Sequence, residues 1–242
     1  MEDKATQDIA VRYEDIPAAN REAVLANDIV IDPLPQLHEP RWGVSTVFRP
    51  SLSGQVWDDL VALRKVAGQH HATYDPRSVH VTVRSNECFR SPVTSSDGDV
   101  SLYADAMQAA IIGAGSLKVM FKGMMAVRTG IVLCGYPMFD LMTLRQRYYQ
   151  ELQARNAIRS GPEALPEKII DTCHASLMMF FEALAEPART VTMLDTFSRR
   201  AYGTVQIEAF DVVAYHRCWD QITTTTLANV PLPPTVEPRT SV

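Results

Sequence analysis

Two short stretches of this chain place an imidazole and a hydroxyl two residues apart: His80-Val81-Thr82-Val83 and His174-Ala175-Ser176-Leu177. Each reads His-x-(Thr/Ser)-apolar. Side chains along a β-strand alternate between its faces, so His80 and Thr82 share one face while Val79, Val81 and Val83 take the other. His174 and Ser176 share a face in the same way, with Ala175 and Leu177 opposite. An imidazole titrates near pH ~6.5, so one neutral ring can remove a proton while a second, protonated ring supplies one. The hydroxyls can donate to the non-bridging oxygens of a phosphate as negative charge builds there. Two imidazoles and two hydroxyls lining one cleft suit the opening of a phosphodiester and require no metal or other cofactor. Unperturbed rings predict a bell-shaped pH profile bracketing neutrality.

One such match is weak in a chain with six histidines. His71-Ala72-Thr73-Tyr74 also fits loosely, but Asp75-Pro76 follows as a turn signal, so that segment reads as a loop. The pair at His80 and His174 carries more weight because each lies on a β-prone run after a strand–helix unit. Arg84 continues the His80/Thr82 face by parity and is a candidate phosphate ligand, since a guanidinium binds phosphate bidentately. Tyr74 precedes the first motif and is a candidate for stacking on a base. Arg77 and Arg90 read as solvated, Met124 and Met125 as core. A zinc site from His70, His71, His80 and Cys88 is disfavoured, because adjacent histidines on extended chain point apart.

The elements that must position the motifs follow from periodicity. Strands are expected over 42–48, 78–85, 117–126, 129–134, 172–181 and 205–215, the last closing the series. Helices are expected over 53–68, 104–112, 139–158 and 190–202. Val56, Leu60, Leu63 and Ala67 form one inward stripe, and Leu141, Leu144, Tyr148 and Leu152 another. The order is β-α-β-α-β, twice. Gly130 follows Gly43 by 87 residues and Pro137 follows Pro50 by the same 87, while the motif histidines are 94 apart. A loop insertion near Ser160-Gly161-Pro162 absorbs the difference.

Two His-x-(Thr/Ser)-apolar motifs, one in each half of a duplicated chain, resemble the 2H phosphoesterase superfamily. The resemblance covers about residues 41–217 and rests on His80, Thr82, His174, Ser176 and the element order. It implies an α+β fold of two pseudo-symmetric lobes, whose antiparallel sheets form a V-shaped cleft with helices outside. It also implies that His80 and His174 are catalytic and that Thr82 and Ser176 bind phosphate. The expected activity is phosphodiesterase action on a 2′,3′-cyclic phosphate or related nucleotide or RNA phosphodiester. A nucleotide- or RNA-end-binding module using the same cleft without turnover is the alternative.

Composition narrows the class. With 46% hydrophobic and 21% charged residues the chain is an ordinary globular one. A net charge of −5 argues against an extended nucleic-acid surface, which needs a basic excess, and favours a small nucleotide or an RNA end. The four scattered cysteines read as buried hydrophobes of a cytoplasmic protein. No apolar run approaches the ~20 residues of a membrane span. Organisation is expected as an irregular or partly helical lead-in over 1–40, a bilobal domain over 41–217 (repeats about 41–126 and 127–217), and a Pro-rich tail over 218–242.

Overall fold

Apolar alternation decides which way the motif strands face: Val81, Val83, Ala175 and Leu177 are all buried, while His80, Thr82, His174 and Ser176 are partly exposed. The computed structural model describes residues 4–31, 41–90, 93–159, 169–217 and 222–233. Pro33, Pro35, Pro40, Pro234, Pro238, Cys218 and the insertion near Ser160-Gly161-Pro162 lie outside the described residues, as do the side chains of Cys88 and Arg90.

The elements run α1 Lys4–Leu25, β1 Arg41–Phe48, α2 Gly54–Ala67, β2 Ala72–Thr73, β3 Val81–Arg90, α3 Gly98–Ala110, β4 Lys118–Val127, β5 Gly130–Pro137, α4 Leu141–Ala154, β6 His174–Met179, α5 Pro187–Phe197, β7 Ala201–Gln206, β8 Ala209–Arg217 and β9 Ile222–Pro231. All pairings among the described residues are antiparallel, in the order β7-β4-β5-β6-β3-β1-β8-β9, with β2 alongside β6. The fold class is α+β, with a curled antiparallel sheet and a cleft. No helix among the described residues is long and apolar enough to cross a membrane.

The strand order shows a pseudo-two-fold exchange. β1 pairs with β8 and β5 pairs with β4, so each repeat sends its last strand to the other lobe. One half of the sheet is β9-β8-β1-β3 and the other β7-β4-β5-β6. Among the described residues only Val81 opposite Ala175 joins β3 to β6.

Helix α1 takes 22 residues of the lead-in, with Ile9, Tyr13 and Val24 buried in the core. Other expectations change. The final strand of 205–215 divides into β7 and β8 around Ile207 and Glu208, and it does not close the series. β9 follows, built on a Thr-rich run, and it sits at the sheet edge, where its Pro231 lacks a donor without breaking an inner ladder. Helix α3 begins six residues early, at Gly98, where the Asp97 carboxylate accepts the Asp99 N–H.

The stripes expected of α2 and α4 are buried. A closed polar triangle fixes α4 to β1 and β3: Thr46 Oγ1 lies 2.6 Å from Tyr148 Oη, Tyr148 donates to Asn86 Oδ1 at 3.1 Å, and Asn86 donates back to Thr46 at 2.9 Å. All three residues are buried. Tyr148→Phe keeps the ring and removes the hydroxyl, leaving Asn86 Oδ1 without that donor. We expect a loss of ~1–3 kcal/mol in urea denaturation. An unchanged midpoint would show that the triangle does not hold the helix.

Candidate active site

The single joining pair is also the centre of the site. Val81 lies between His80 and Thr82, and Ala175 between His174 and Ser176. Antiparallel pairing at Val81 and Ala175 therefore sets His80 beside Ser176 and Thr82 beside His174, all four on the face away from the core. The imidazoles sense each other electrostatically, His80 lowering the pKa of His174.

Each ring is tied at Nδ1 to the residue two positions earlier. His80 Nδ1 is 2.8 Å from the Ser78 carbonyl oxygen. That carbonyl only accepts, so Nδ1 carries the proton and Nε2 presents a lone pair. His174 Nδ1 is 2.8 Å from Thr172 Oγ1. Ser78 and Thr172 are also 94 residues apart, so the duplicated unit extends one step upstream, to (Ser/Thr)-x-His-x-(Thr/Ser). That outer hydroxyl was a readable signal that sequence reasoning missed. A turn sets the Ser78 end: the Asp75 carboxylate accepts from the Ser78 N–H at 2.7 Å, the Ser78 hydroxyl at 2.8 Å and the Arg77 N–H at 2.9 Å.

A cavity of about 190 Å³ opens beside His80, lined by Ser45, Tyr74, His80, Thr82, Ser85, Met179, Tyr215 and Ile222. His174 and Ser176 do not line it; they stand across the β3–β6 junction. Tyr74 packs edge-on against His80, ring centroids 5.7 Å apart, and its hydroxyl points at Met179 Sδ, 3.8 Å away. Burial pushes the Tyr74 phenol up to about 12. Gly43 makes room for the Tyr215 ring, since a Cβ there would lie 2.1 Å from ring atoms. Sequence reasoning missed Ser45, Ser85, Tyr215 and Ile222. The last sits on a strand the tail was not expected to contain.

Arg84 departs from its expected place. Thr46 opposes Arg84 while Val47 opposes Thr82, so Val83 is an extra residue in β3. A bulge of this kind reverses parity beyond it. Ser85 consequently takes the cavity wall, and the Arg84 guanidinium lies over the Tyr149 ring of α4, 4.9 Å from its centroid. Arg77 is exposed, its side chain at 94%. Met124 and Met125 are core. His71 lies in the bend before the two-residue β2, and it is structural: Nε2 is 3.1 Å from the Ala67 carbonyl and Nδ1 accepts from the Phe181 N–H. Cys134 and Cys173 are buried free thiols, as expected of hydrophobes. Among the described residues no group of three or more His, Cys, Asp or Glu side chains is arranged to hold a metal.

Comparison with solved structures bears on the fold. TT0787 of Thermus thermophilus matches with a TM-score of 0.55 over 78% of this chain and 97% of that one, at 13% identity. The chain has the fold of that structure. Weaker similarities at TM-scores of 0.48 and 0.47 are to a phosphoesterase (11% identity, 83% of this chain, 99% of that one) and to E. coli LigT complexed with NADP+ (12%, 79% and 98%). No family model and no curated protein matches the sequence. At such identities the likeness shows the fold alone, and the chemistry must be argued from the residues themselves.

Burial lowers the pKa of both histidines. For His80, Arg49 pushes the same way and the Ser78 carbonyl opposes. His174 falls to about 4, through burial, then Arg145 and His80, against Asp171. An unfolded histidine titrates near ~6.5. Between about 6.5 and 4 the unfolded chain binds a proton at this site and the folded chain does not. The contribution of His174 is therefore fully present above about pH 6.5 and is lost as pH falls toward 4. NMR titration should show His174 neutral to about pH 4, and His174→Asn should flatten the acid loss of stability by on the order of 2 kcal/mol. Titration of His174 near ~6.5 would contradict the burial of its ring.

Proposed function

We propose that this protein is a phosphodiesterase that opens a 2′,3′-cyclic phosphate, or a related phosphodiester of a small nucleotide or RNA end, by acid–base catalysis between His80 and His174. The observation that carries the reading is the Val81–Ala175 pair, which sets the two His-x-(Thr/Ser) units against each other with both rings tied at Nδ1.

The neutral His174 ring accepts a proton from the attacking water at Nε2, and protonated His80 donates one from Nε2 to the departing ribose oxygen. The water oxygen bonds to phosphorus as the ring P–O bond breaks, leaving a phosphomonoester and a free hydroxyl. His174 suits the base because burial, with the Arg145 and His80 charges, holds it neutral down to about pH 4. His80 suits the acid because it opens on the cavity, where the leaving sugar has room. Thr82 and Ser176 donate to the non-bridging oxygens. The cavity is smaller than the ~300–1,000 Å³ of drug-sized sites, which favours a mononucleotide or a chain end over an internal linkage. Tyr74 offers a ring edge beside the reacting group and Arg84 stands behind the sheet, so of the two candidate substrate contacts Tyr74 is the one we retain.

A panel of 2′,3′-cyclic nucleotides and RNA ends assayed in EDTA tests this. We expect turnover that survives chelation and falls by ~10²–10⁴-fold in His80→Asn and in His174→Asn. Thr82→Val and Ser176→Ala should each cost ~10-fold or more in kcat with little change in folding. Tight binding across the panel without turnover would establish the binding module instead. For the free enzyme, log kcat/KM should rise through about pH 4 as His174 loses its proton. It should fall again below the ordinary ~6.5 as His80 does, so the bell lies on the acid side of neutrality.

A further inference from the structure

Arg145 sits in α4, on none of the motifs, and is only 3% exposed. Its side chain reaches the point where β3 and β6 separate. Nη1 donates to the carbonyls of Ile170 at 2.6 Å and Thr172 at 2.8 Å, and Nη2 donates to the carbonyl of Thr82 at 2.7 Å. Thr82 is in the first motif, and Thr172 holds the ring of His174. Beyond Val81–Ala175 the two strands share no further pair among the described residues, so these carbonyls lose their ladder partners where the sheet opens. One planar fork supplies the missing donors to both strands at once.

Its charge is unusual too. Arg145 makes no ion pair among the described residues, and Nε has no partner. The nearby carboxylate, Asp171, is paired with Arg12 of α1 at 3.1 Å. A buried cation without a carboxylate is costly, and three backbone carbonyls on a purely mechanical strut do not require one.

We propose that Arg145 is a positioning residue: it sets the separation of the two motif strands and fixes a positive charge behind Thr172, the residue that holds the His174 ring. This rests on the acid–base reading above. The charged or titratable groups that act on His174 are Arg145 from α4, His80 from the β3 side and Asp171 from its own approach; Cys134 lies opposite it on β5, and from α1 Arg12 pairs with Asp171 while Tyr13 bonds the Cys173 carbonyl. Of the charged ones, Arg145 and His80 favour the neutral ring and Asp171 opposes them.

Two variants separate geometry from charge. Arg145→Lys keeps a cation but cannot span three carbonyls on two strands; Arg145→Met keeps bulk and loses both. In Arg145→Met, His174 should titrate above the wild-type value by NMR, and the acid limb of kcat/KM should move up with it. In Arg145→Lys that limb should stay. Both should lose ~10–100-fold in kcat with KM changed little, as misplaced catalytic groups do. An unmoved His174 titration together with wild-type kcat in folded Arg145→Met would overturn the proposal. Should Arg145→Met fail to fold, wild-type kcat in Arg145→Lys would overturn it equally. The NMR titration needs no turnover. A wild-type protein inactive on every cyclic phosphate would thus sink the acid–base reading, while the effect of Arg145 on His174 would still be read.

Discussion

Among the described residues β3 and β6 pair at one place, where Val81 faces Ala175. Everything proposed for the site depends on that contact. If the register there slipped by one residue, one motif would turn its imidazole and hydroxyl into the core and its valines or alanine into the cleft. The burial of Val81, Val83, Ala175 and Leu177 guards against this, because each slip would expose apolar surface and bury polar groups together. Only one pair is needed because the neighbours are anchored independently: β3 against β1 along its length, and β6 against β5 and β2. The junction can then remain narrow, and the sheet can open into a cleft on either side of it.

Opening the sheet leaves carbonyls without partners, and the structure meets that need in two ways. At one end of β6, Met179 and Met178 pair with Ala72 and Thr73, and the Tyr74 N–H reaches the Leu177 carbonyl at 3.0 Å. The chain then turns on Asp75 and re-enters as His80. At the other end Arg145 serves Thr82, Thr172 and Ile170. Backbone satisfaction and the placement of the candidate histidines are thus one problem with one solution. The Thr46–Tyr148–Asn86 triangle belongs to it as well, since it holds the helix from which Arg145 reaches.

Features set by local parity were legible in the sequence; features set by distant pairing were not. His80 with Thr82 and His174 with Ser176 needed only the two-residue period of a strand. Arg84 needed the register between β3 and β1, where the extra Val83 reverses the faces, and no property of Val83 itself announces that. Tyr215 and Ile222 come from strands that join the first lobe by exchange across the repeats, so proximity in sequence could not bring them to His80. Thr223 to Thr226 did carry a β-prone signal, but the prolines that follow masked it. Their edge position removes the conflict. Helix α1 was under-read because its buried residues, Ile9, Tyr13 and Val24, are spread over a mostly polar sequence. They matter because α1 covers another part of the sheet. Tyr13 packs on Tyr136 and donates to the Cys173 carbonyl, bracing the backbone immediately before His174.

The two motifs are near-equivalent units, and equivalence alone cannot give a reaction a direction. The surroundings break the tie. On the His80 side the bulged β3, Tyr74 and Tyr215 leave an open cavity. On the His174 side Tyr13 closes in on Cys173, and a buried guanidinium stands behind Thr172. The His174 ring, buried and next to a fixed positive charge, resists protonation down to about pH 4. The His80 ring, on the cavity wall, is the one with space beside it for a leaving group. Under the acid–base reading, base and acid are therefore assigned by what each lobe packs against its histidine, and the two near-identical motifs can differ in role without differing in sequence at the reacting atoms.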